Sequence, residues 1–278
     1  VEFAQVLAAA LHWAEASDGA FDPTMGPVTA AWGFGPDAPA RGGNWRPPTR
    51  AVLDAAVGCT GWRRIEFDPS TCELRQPGEL TLDFSGIAKG FAVDHACGAL
   101  TALGLRDLIL EIGGEVRALG HRPGAGAWNL RIALPADLEA SLRLPPLPLH
   151  DLAAASSGDG WHWHEHDGRR WSHTIDPRSA APVASGLALV TVLRESCMEA
   201  DALATALTVL GPEAGLAFAD AHGVAALFVE RRPDGPALRR SAAWPDSAGR
   251  GQTATPITPI TPIDPLRPTT PARPVRAE

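Results

Sequence analysis

Residues 196–211 constrain the fold of this chain most, because they predict a helix with both ends defined. Ser196 is a suitable N-cap and Glu199 completes a capping box, while Gly211 followed by Pro212 is typical of a helix end. Leucines at positions 203, 207 and 210 recur at helical spacing. One side of this helix is therefore expected to pack into a core.

Asp201 and Thr205 lie four residues apart on the predicted helix, so their side-chain oxygens project from the same face. A carboxylate and a hydroxyl on one rigid surface form half of a site for a hard cation such as Mg²⁺. The alternative is an exposed aspartate beside a threonine that bonds its own backbone. Taken alone, the segment favours this alternative, because such pairs are common in helices.

The composition is that of a globular protein and excludes some classes of partner. Of the 278 residues 45% are hydrophobic and 20% are charged, with a net charge of −8. This charge gives no electrostatic reason to bind nucleic acid, and we find no apolar run long enough to predict a transmembrane segment. The four cysteines lie far apart, without the close pairs of a zinc site.

Composition also divides the chain into a folded domain over residues 1–235 and a tail over residues 236–278. Residues 255–263 repeat the triplet Thr-Pro-Ile. A segment so rich in proline and threonine cannot bury enough apolar surface to fold, so we expect an extended, mobile C-terminus.

Apolar periodicity and turn residues predict the other elements of the domain. We expect a helix over residues 1–16, a turn-rich loop over 20–27, a surface excursion over 33–50, and strands over 80–84, 108–112, 128–134, 187–193 and 223–230.

Lys89 is the only lysine among the 24 basic residues. It falls in residues 83–94, which predict a strand, a glycine-bearing turn and the start of a helix. Backbone N–H groups at a helix N-terminus bind anions, and a compact ammonium in the first turn is well placed to reach a phosphate. The alternative is that a single lysine in an arginine-rich sequence arose by chance.

Gly113 and Gly114 interrupt two apolar strands. They indicate either a bulge or tight bend, or a close approach of the backbone to a ligand. Further along, histidines at positions 162, 164 and 166 would share one face of a strand, as in a Zn²⁺ site. The Asp167-Gly168 turn that follows favours one arm of an exposed hairpin instead.

Together and in this order, several segments resemble the ApbE family, the FAD:protein FMN transferases. The resemblance covers about residues 1–230 and is carried by residues 18–24, 83–94, 111–115, 156–158, 173–177 and 201–207. It implies an α+β fold of the family's own type, with mixed or antiparallel sheets and packed helices. It also implies a reaction in which FAD is split at its pyrophosphate, FMN is esterified to a Thr or Ser of an acceptor flavoprotein subunit, and AMP leaves.

The resemblance also implies which residues form the site. Asp201, Thr205 and a main-chain oxygen of Gly86 match the ligands of Mg²⁺. The positions that match FAD contacts are Ala20, Phe21, Asp22, Asp83, Lys89, His173, Thr174 and Ile175. His173 resembles the position proposed to assist proton transfer, and His173 and Asp201 are the expected catalytic residues.

The sequence departs from the family pattern at its start. Family members usually carry a signal sequence or lipid anchor and then a first strand, before the helix at which this chain begins. We therefore expect the usual N-terminal strand to be missing, with weaker FAD binding as a consequence. Phe84-Ser85 and Thr174 replace commoner family residues without removing a proposed ligand. Family resemblance predicts a periplasmic or inner-membrane-anchored location.

Two other functions remain open. An FAD pyrophosphatase would use water in place of the acceptor hydroxyl and release free FMN and AMP. A flavin-binding protein without turnover is the third hypothesis. A purely structural protein would not explain why Lys89, Asp201, Thr205 and the Gly-Gly break occur together.

Overall fold

The structure contains the helix that the capping box predicts. The structure is a computed structural model and describes residues 1–35, 38, 45–124, 126–160 and 162–245. Within these residues the α-helices are α1 (Glu2–Ala16), α2 (Gly26–Ala31), α3 (Arg50–Gly58), α4 (Ala88–Ala102) and α5 (Cys197–Ala221), with a 3₁₀ turn at Trp62–Arg64.

Helix α5 begins as the sequence predicts. The Ser196 hydroxyl accepts a hydrogen bond from the Glu199 backbone N–H at 3.3 Å. Gly211 has φ 81° and ψ −179°, which interrupts the helical backbone at the predicted end. Pro212 follows, and a second helical stretch that the sequence did not predict continues to Ala221. The prediction is therefore correct for the first part of α5 and incomplete for the second.

The strands form one large antiparallel sheet and four small hairpin-like pairs. In chain order they are β1 (Glu66–Asp68), β2 (Glu73–Arg75), β3 (Leu108–Ile112), β4 (Glu115–Leu119), β5 (Trp128–Leu130), β6 (Leu147–Leu149), β7 (Leu152–Ser157), β8 (Trp163–His166), β9 (Arg169–Ser172), β10 (Ile175–Asp176), β11 (Ala181–Pro182), β12 (Leu187–Arg194), β13 (Ala225–Glu230) and β14 (Ala237–Arg240). The large sheet has the order β14-β13-β12-β7-β4-β3, and each pair of neighbours is antiparallel. The small sheets pair β1 with β2, β5 with β6, β8 with β9, and β10 with β11.

Core residues lie on both faces of the large sheet, which explains why every residue of β12 is buried. Val190 and Val192 belong to a core cluster with α1 and α5 on one face. Leu189 and Leu193 alternate with them and belong to a cluster on the other face, which includes residues of β6. The result is the predicted α+β fold, a sheet with helices packed against it.

The predicted strand over residues 80–84 is wrong. This segment belongs to no strand, although the Asp83 N–H donates to the carbonyl of Pro23 at 2.7 Å. No strand in the described part of the chain pairs with it, and a strand needs a hydrogen-bonded neighbour as well as an alternating sequence.

Other boundaries also differ from prediction. The strand expected over residues 128–134 ends at Leu130, because its partner β6 has only three residues, although Ile132 and Leu134 are still buried. Helix α2 begins within the loop predicted over residues 20–27, since a proline is tolerated in the first helical turn. Helix α3 and the β1–β2 hairpin were not predicted, and part of the excursion over residues 33–50 lies outside the described residues.

The folded domain extends further than predicted. Strand β14 pairs with β13 beyond residue 235, so the boundary at that residue was placed too early. Residues 246–278, which include the predicted Pro/Thr-rich repeat, lie outside the described residues.

The sequence predicted no transmembrane segment, but helix α5 meets the criteria of length and composition for one. Within the described residues it is the single helix that is long and apolar enough to do so by length and composition. A buried helix of a protein core meets the same two criteria, and α5 packs against α4, β7 and β12.

Candidate active site

Every residue that the sequence predicted for the site lies at one cleft of about 920 Å³. The loop after α1, the first turns of α4 and α5, the β3–β4 turn and the segment around β10 contribute to its walls. The cleft lining includes Ala20, Phe21, Asp22, Asp83, Gly86, Lys89, His173, Thr174, Ile175, Asp201 and Thr205. The fold thus gathers residues from distant parts of the sequence, while their individual roles stay predictions.

Asp201 is the charged member of the predicted cation ligands, and it is buried, with 5% of its surface exposed. Its Oδ2 accepts a hydrogen bond of 3.0 Å from the Gly90 backbone N–H. Thr205 lies one turn further along α5, and a Cβ added to Gly86 would be 3.1 Å from the Thr205 Oγ1. The three predicted ligands are therefore close together, and the exposed-aspartate alternative is wrong for Asp201.

Burial raises the pKa of Asp201 to about 7, and the neighbouring Glu115 carboxylate adds to this effect. The Lys89 ammonium and the bond from the Gly90 N–H act in the opposite direction. A carboxyl group with this pKa exchanges a proton for a cation near neutral pH.

Lys89 lies in the first turn of α4, as predicted, and its ammonium pairs with Glu115. The Lys89 Nζ is 2.5 Å from the Glu115 Oε1, and the two side chains are 44% and 1% exposed. Burial raises the pKa of Glu115, although Lys89 opposes the shift. Glu115 is a candidate functional residue that the sequence did not single out, although it closes the 111–115 segment of the family resemblance.

The Gly113-Gly114 break is a tight turn that joins β3 to β4. Both glycines have positive φ, 63° and 102°, which side-chain-bearing residues adopt at a cost. The Gly114 N–H donates to the Glu111 Oε1 at 2.6 Å. A Cβ on Gly113 would lie 3.3 Å from the Lys89 Cδ. The bend is therefore confirmed, and Gly113 lies near the single lysine of the sequence.

The loop after α1 is held by its own polar side chains. The Ser17 hydroxyl donates to the Trp13 carbonyl at 2.7 Å and accepts from the Phe21 N–H at 3.0 Å. Asp22 Oδ1 accepts from both the backbone N–H and the hydroxyl of Thr24, at 2.8 and 2.6 Å. These bonds fix the loop that carries Ala20, Phe21 and Asp22, which line the cleft.

His173 presents a defined tautomer. Its Nδ1 lies 3.0 Å from the His162 carbonyl oxygen and must donate to it, which leaves Nε2 as an acceptor. Burial lowers the pKa of His173 to about 4, with further contributions from His162 and Lys89, against the opposing effect of the bond to the His162 carbonyl. The imidazole is therefore neutral at pH 7. The next two residues, Thr174 and Ile175, are each 7% exposed.

The histidine-rich hairpin forms as β8 and β9, but its histidines are not arranged as a zinc site. His164 is buried and stacks against Phe34 and Trp45, with ring centroids 4.5 Å away in each case. Its Nε2 bonds the Gly33 carbonyl at 3.0 Å. Across the described ranges, no group of three or more His, Cys, Asp or Glu side chains could hold a metal ion. The hairpin was expected to be exposed, and this is wrong for His164, because the aromatic residues cover it.

Comparison with known proteins identifies the family. The model of the ApbE family matches residues 1–228. The chain belongs to the ApbE family.

Named ApbE relatives support this membership. An FAD:protein FMN transferase of Vibrio cholerae is 38% identical over 79% of this chain and 64% of the relative, and one of Haemophilus influenzae is 34% identical over 87% and 70%. The chain thus spans about two thirds of the length of these relatives. Two solved structures share its fold: the flavinyl transferase ApbE of Pseudomonas stutzeri has a TM-score of 0.76 and 39% identity over 86% of this chain and 72% of that one. The flavin transferase ApbE of Vibrio cholerae has a TM-score of 0.78 and 34% identity over 88% and 76%.

The donor atoms of this ApbE cleft fit a hard divalent cation. A buried carboxylate, a hydroxyl and a main-chain oxygen, from Asp201, Thr205 and Gly86, are the oxygen ligands that Mg²⁺ accepts. The buried carboxylates of Asp201 and Glu115 face a single ammonium, that of Lys89, so a cation would also balance the charge. The proposed ligands include only one carboxylate, so this site is not a cluster of three or more His, Cys, Asp or Glu side chains, a kind of group that the described residues do not contain.

Proposed function

We propose that this chain is an Mg²⁺-dependent FAD:protein FMN transferase. It cleaves FAD at the pyrophosphate, attaches FMN through a phosphoester to a Thr or Ser of an acceptor protein, and releases AMP. The observation that carries the proposal is the single cleft that joins the buried Asp201, Thr205, the Lys89 ammonium and the neutral His173 imidazole. The names of the relatives support the same reaction.

The size of the cleft supports a ligand as large as FAD. Small-molecule sites commonly have volumes of about 300–1,000 Å³, and this cleft lies at the upper end with about 920 Å³. Its lining also varies in character: Phe21 and Ile175 are apolar, while α4, α5 and β4 provide the charged groups Lys89, Asp201 and Glu115. An apolar ring system and a pyrophosphate can therefore be held in different parts of the same site.

The residues of the cleft supply the electrostatic part of the reaction. Mg²⁺ bound by Asp201, Thr205 and Gly86 would neutralise charge on the pyrophosphate oxygens. The Lys89 ammonium adds a second positive charge, which stabilises the charge that develops on the leaving phosphate. The hydroxyl oxygen of the acceptor forms a bond to the phosphorus on the FMN side, and the bridging oxygen departs with AMP.

His173 is the proposed acceptor of the hydroxyl proton. Its Nε2 carries a lone pair at pH 7, because Nδ1 donates to the His162 carbonyl and the pKa of the ring is about 4. A proton taken up by such a ring is released readily, so His173 transfers it onward to solvent. The catalytic contribution of Asp201 is to hold the cation.

The first experiment combines the chain with FAD, Mg²⁺ and an acceptor fragment that carries a flavinylation-type threonine. Intact-mass spectrometry should show a gain of one FMN phosphoester on the acceptor, and the gain should disappear with EDTA. The Asp201→Asn variant should lose the activity. Asp54→Asn, which changes an exposed aspartate on α3, is the matched control and should keep it.

The same reaction separates the alternatives. AMP and free FMN without a modified acceptor would indicate an FAD pyrophosphatase. Bound FAD that stays intact with Mg²⁺ would indicate a flavin-binding protein without turnover. A location on the periplasmic side of a bacterial membrane, free or anchored, remains a proposal based on the family.

A further inference from the structure

The pair of Lys89 and Glu115 connects two elements at the cleft. Lys89 belongs to the first turn of α4, and Glu115 is the first residue of β4 after the glycine turn. Their Nζ and Oε1 atoms are 2.5 Å apart. Gly113 in the turn lies beside the lysine stem, because a Cβ added to it would be 3.3 Å from the Lys89 Cδ. Glu115 thus holds the charged end of the lysine, and the glycine turn lies beside its alkyl stem.

Glu115 is in an unusual position for a structural carboxylate. It is 1% exposed, and its Oε2 has no hydrogen-bond partner among the described residues. A buried carboxylate oxygen without a partner lowers stability, and a buried ion pair is seldom more stabilising than an apolar pair of the same size. Stability alone does not account for the placement of this glutamate.

Lys89 has the complementary property. Its side chain is 44% exposed, and a lysine with four rotatable bonds would otherwise sample many positions in solvent. Holding the ammonium in one position before a ligand arrives reduces the entropy lost on binding. The exposed part of the side chain remains accessible to that ligand.

We propose that Glu115 is a positioning residue that holds the Lys89 ammonium at the place where it meets an FAD phosphate. This inference rests on the proposed function, because it takes FAD as the ligand. It assigns a role to Glu115 through Lys89 and requires no contact between Glu115 and the substrate.

Positioning and simple electrostatics predict opposite results for Glu115→Gln. If Glu115 acted only through its charge, its removal would strengthen the binding of anionic FAD, because a negative charge near the phosphates is lost. If it positions Lys89, FAD binding should weaken by about tenfold, because the ammonium is no longer held in place. A purely structural role would change thermal stability and leave FAD affinity unchanged.

The test is a double-mutant cycle on the full chain with FAD in the absence of Mg²⁺ and acceptor. Flavin fluorescence gives the Kd for the unmodified chain, Glu115→Gln, Lys89→Met and the double variant. Glu73→Gln, which changes an exposed glutamate on β2, is the control for loss of one negative charge. If Glu115 acts through Lys89, the double variant should bind FAD within about twofold of Lys89→Met. Tighter or unchanged binding by Glu115→Gln, or fully additive effects, would overturn the proposal.

A second measurement does not depend on FAD. Because Lys89 is the only lysine in the sequence, lysine-specific isotope labelling gives one set of side-chain NMR signals. The signal at the end of the Lys89 side chain should change in Glu115→Gln and stay unchanged in Glu73→Gln. An unaffected signal in Glu115→Gln would refute the pair itself.

The FAD titration also separates the two proposals. If the unmodified chain binds no FAD, the proposed function fails, whereas normal FAD binding by Glu115→Gln refutes only the role of this glutamate.

Discussion

Replacing Asp201 by asparagine should change how the stability of the protein depends on pH. Burial raises the pKa of this carboxyl from its ordinary 3.8 to about 7, so the folded protein favours the protonated form. Its contribution to the free energy of unfolding is therefore complete below about pH 4 and is lost as the pH rises towards 7. With about 1.4 kcal/mol for each pH unit, the full loss is about 4 kcal/mol.

Mg²⁺ should offset a large part of this loss in the unmodified chain. A cation that binds the ionised carboxylate of the folded state stabilises it by about 2.7 kcal/mol at a concentration of about 100 times its Kd. Asp201→Asn replaces the carboxyl by a neutral amide, so the variant should show neither the decline between about pH 4 and pH 7 nor the Mg²⁺-dependent gain. The two effects have one physical cause, the exchange of a proton for a cation at a buried carboxylate.

Urea unfolding followed by tryptophan fluorescence measures both effects, since the chain contains nine tryptophans. The titrations are run from about pH 4 to pH 8 with EDTA and then with Mg²⁺, with Asp54→Asn as the exposed control. If Asp201→Asn keeps the pH dependence of the unmodified chain, the pKa assignment is refuted. If Mg²⁺ stabilises both proteins equally, the cation binds elsewhere.

Three substitutions and one titration test the surroundings of the cleft. Gly90→Ala should lower the free energy of unfolding by about 3 kcal/mol, measured by urea unfolding, because the new Cβ would overlap the backbone of Cys197. A variant as stable as the unmodified chain would contradict this packing. Asp94→Asn should lower the free energy of unfolding by about 3 kcal/mol in the same assay. The reason is that the Asp94 carboxylate accepts a hydrogen bond from the Cys197 N–H and pairs with an arginine of β4, and unchanged stability would refute that network. Lys89→Arg should reduce FMN transfer despite equal charge, and full activity would remove the argument for a compact ammonium. His173 should titrate by NMR near pH 4, with its contribution to stability lost as the pH falls from 6.5 to about 4; a midpoint near 6.5 would show that the ring is not buried as described.

Local sequence signals were sufficient where the structure depends on local contacts. The start of α5 follows from Ser196 and Glu199, and its interruption follows from Gly211, because caps and glycine conformations act within a few residues. The predicted strand over residues 80–84 failed for the opposite reason. Its apolar residues alternate correctly, but pairing depends on a neighbouring strand that can come from any part of a sequence and that the described chain does not place there.

The site was predictable to a similar degree. Asp201 and Thr205 share a helix face, so their proximity could be derived from spacing alone. The FAD positions required the family resemblance, because no local rule brings Asp22, Asp83 and His173 together. The burial of Glu115 could not be predicted, since a glutamate after a glycine turn is ordinarily exposed, and its partner Lys89 lies in a different element.

The crossing of α4 and α5 explains why stability and function are connected in this fold. Asp94 on α4 accepts from the backbone N–H groups of Cys197 and Met198, which fixes the first turn of α5. Four residues before it, the Gly90 N–H donates to Asp201. The residue that precedes Gly90 is the lysine held by β4. Since these contacts lie within two turns of α4, displacement of this crossing must move the cation ligand and the ammonium together. A variant that weakens the crossing should therefore impair Mg²⁺ binding and FAD binding in parallel, whereas a variant of either polar group alone should separate them.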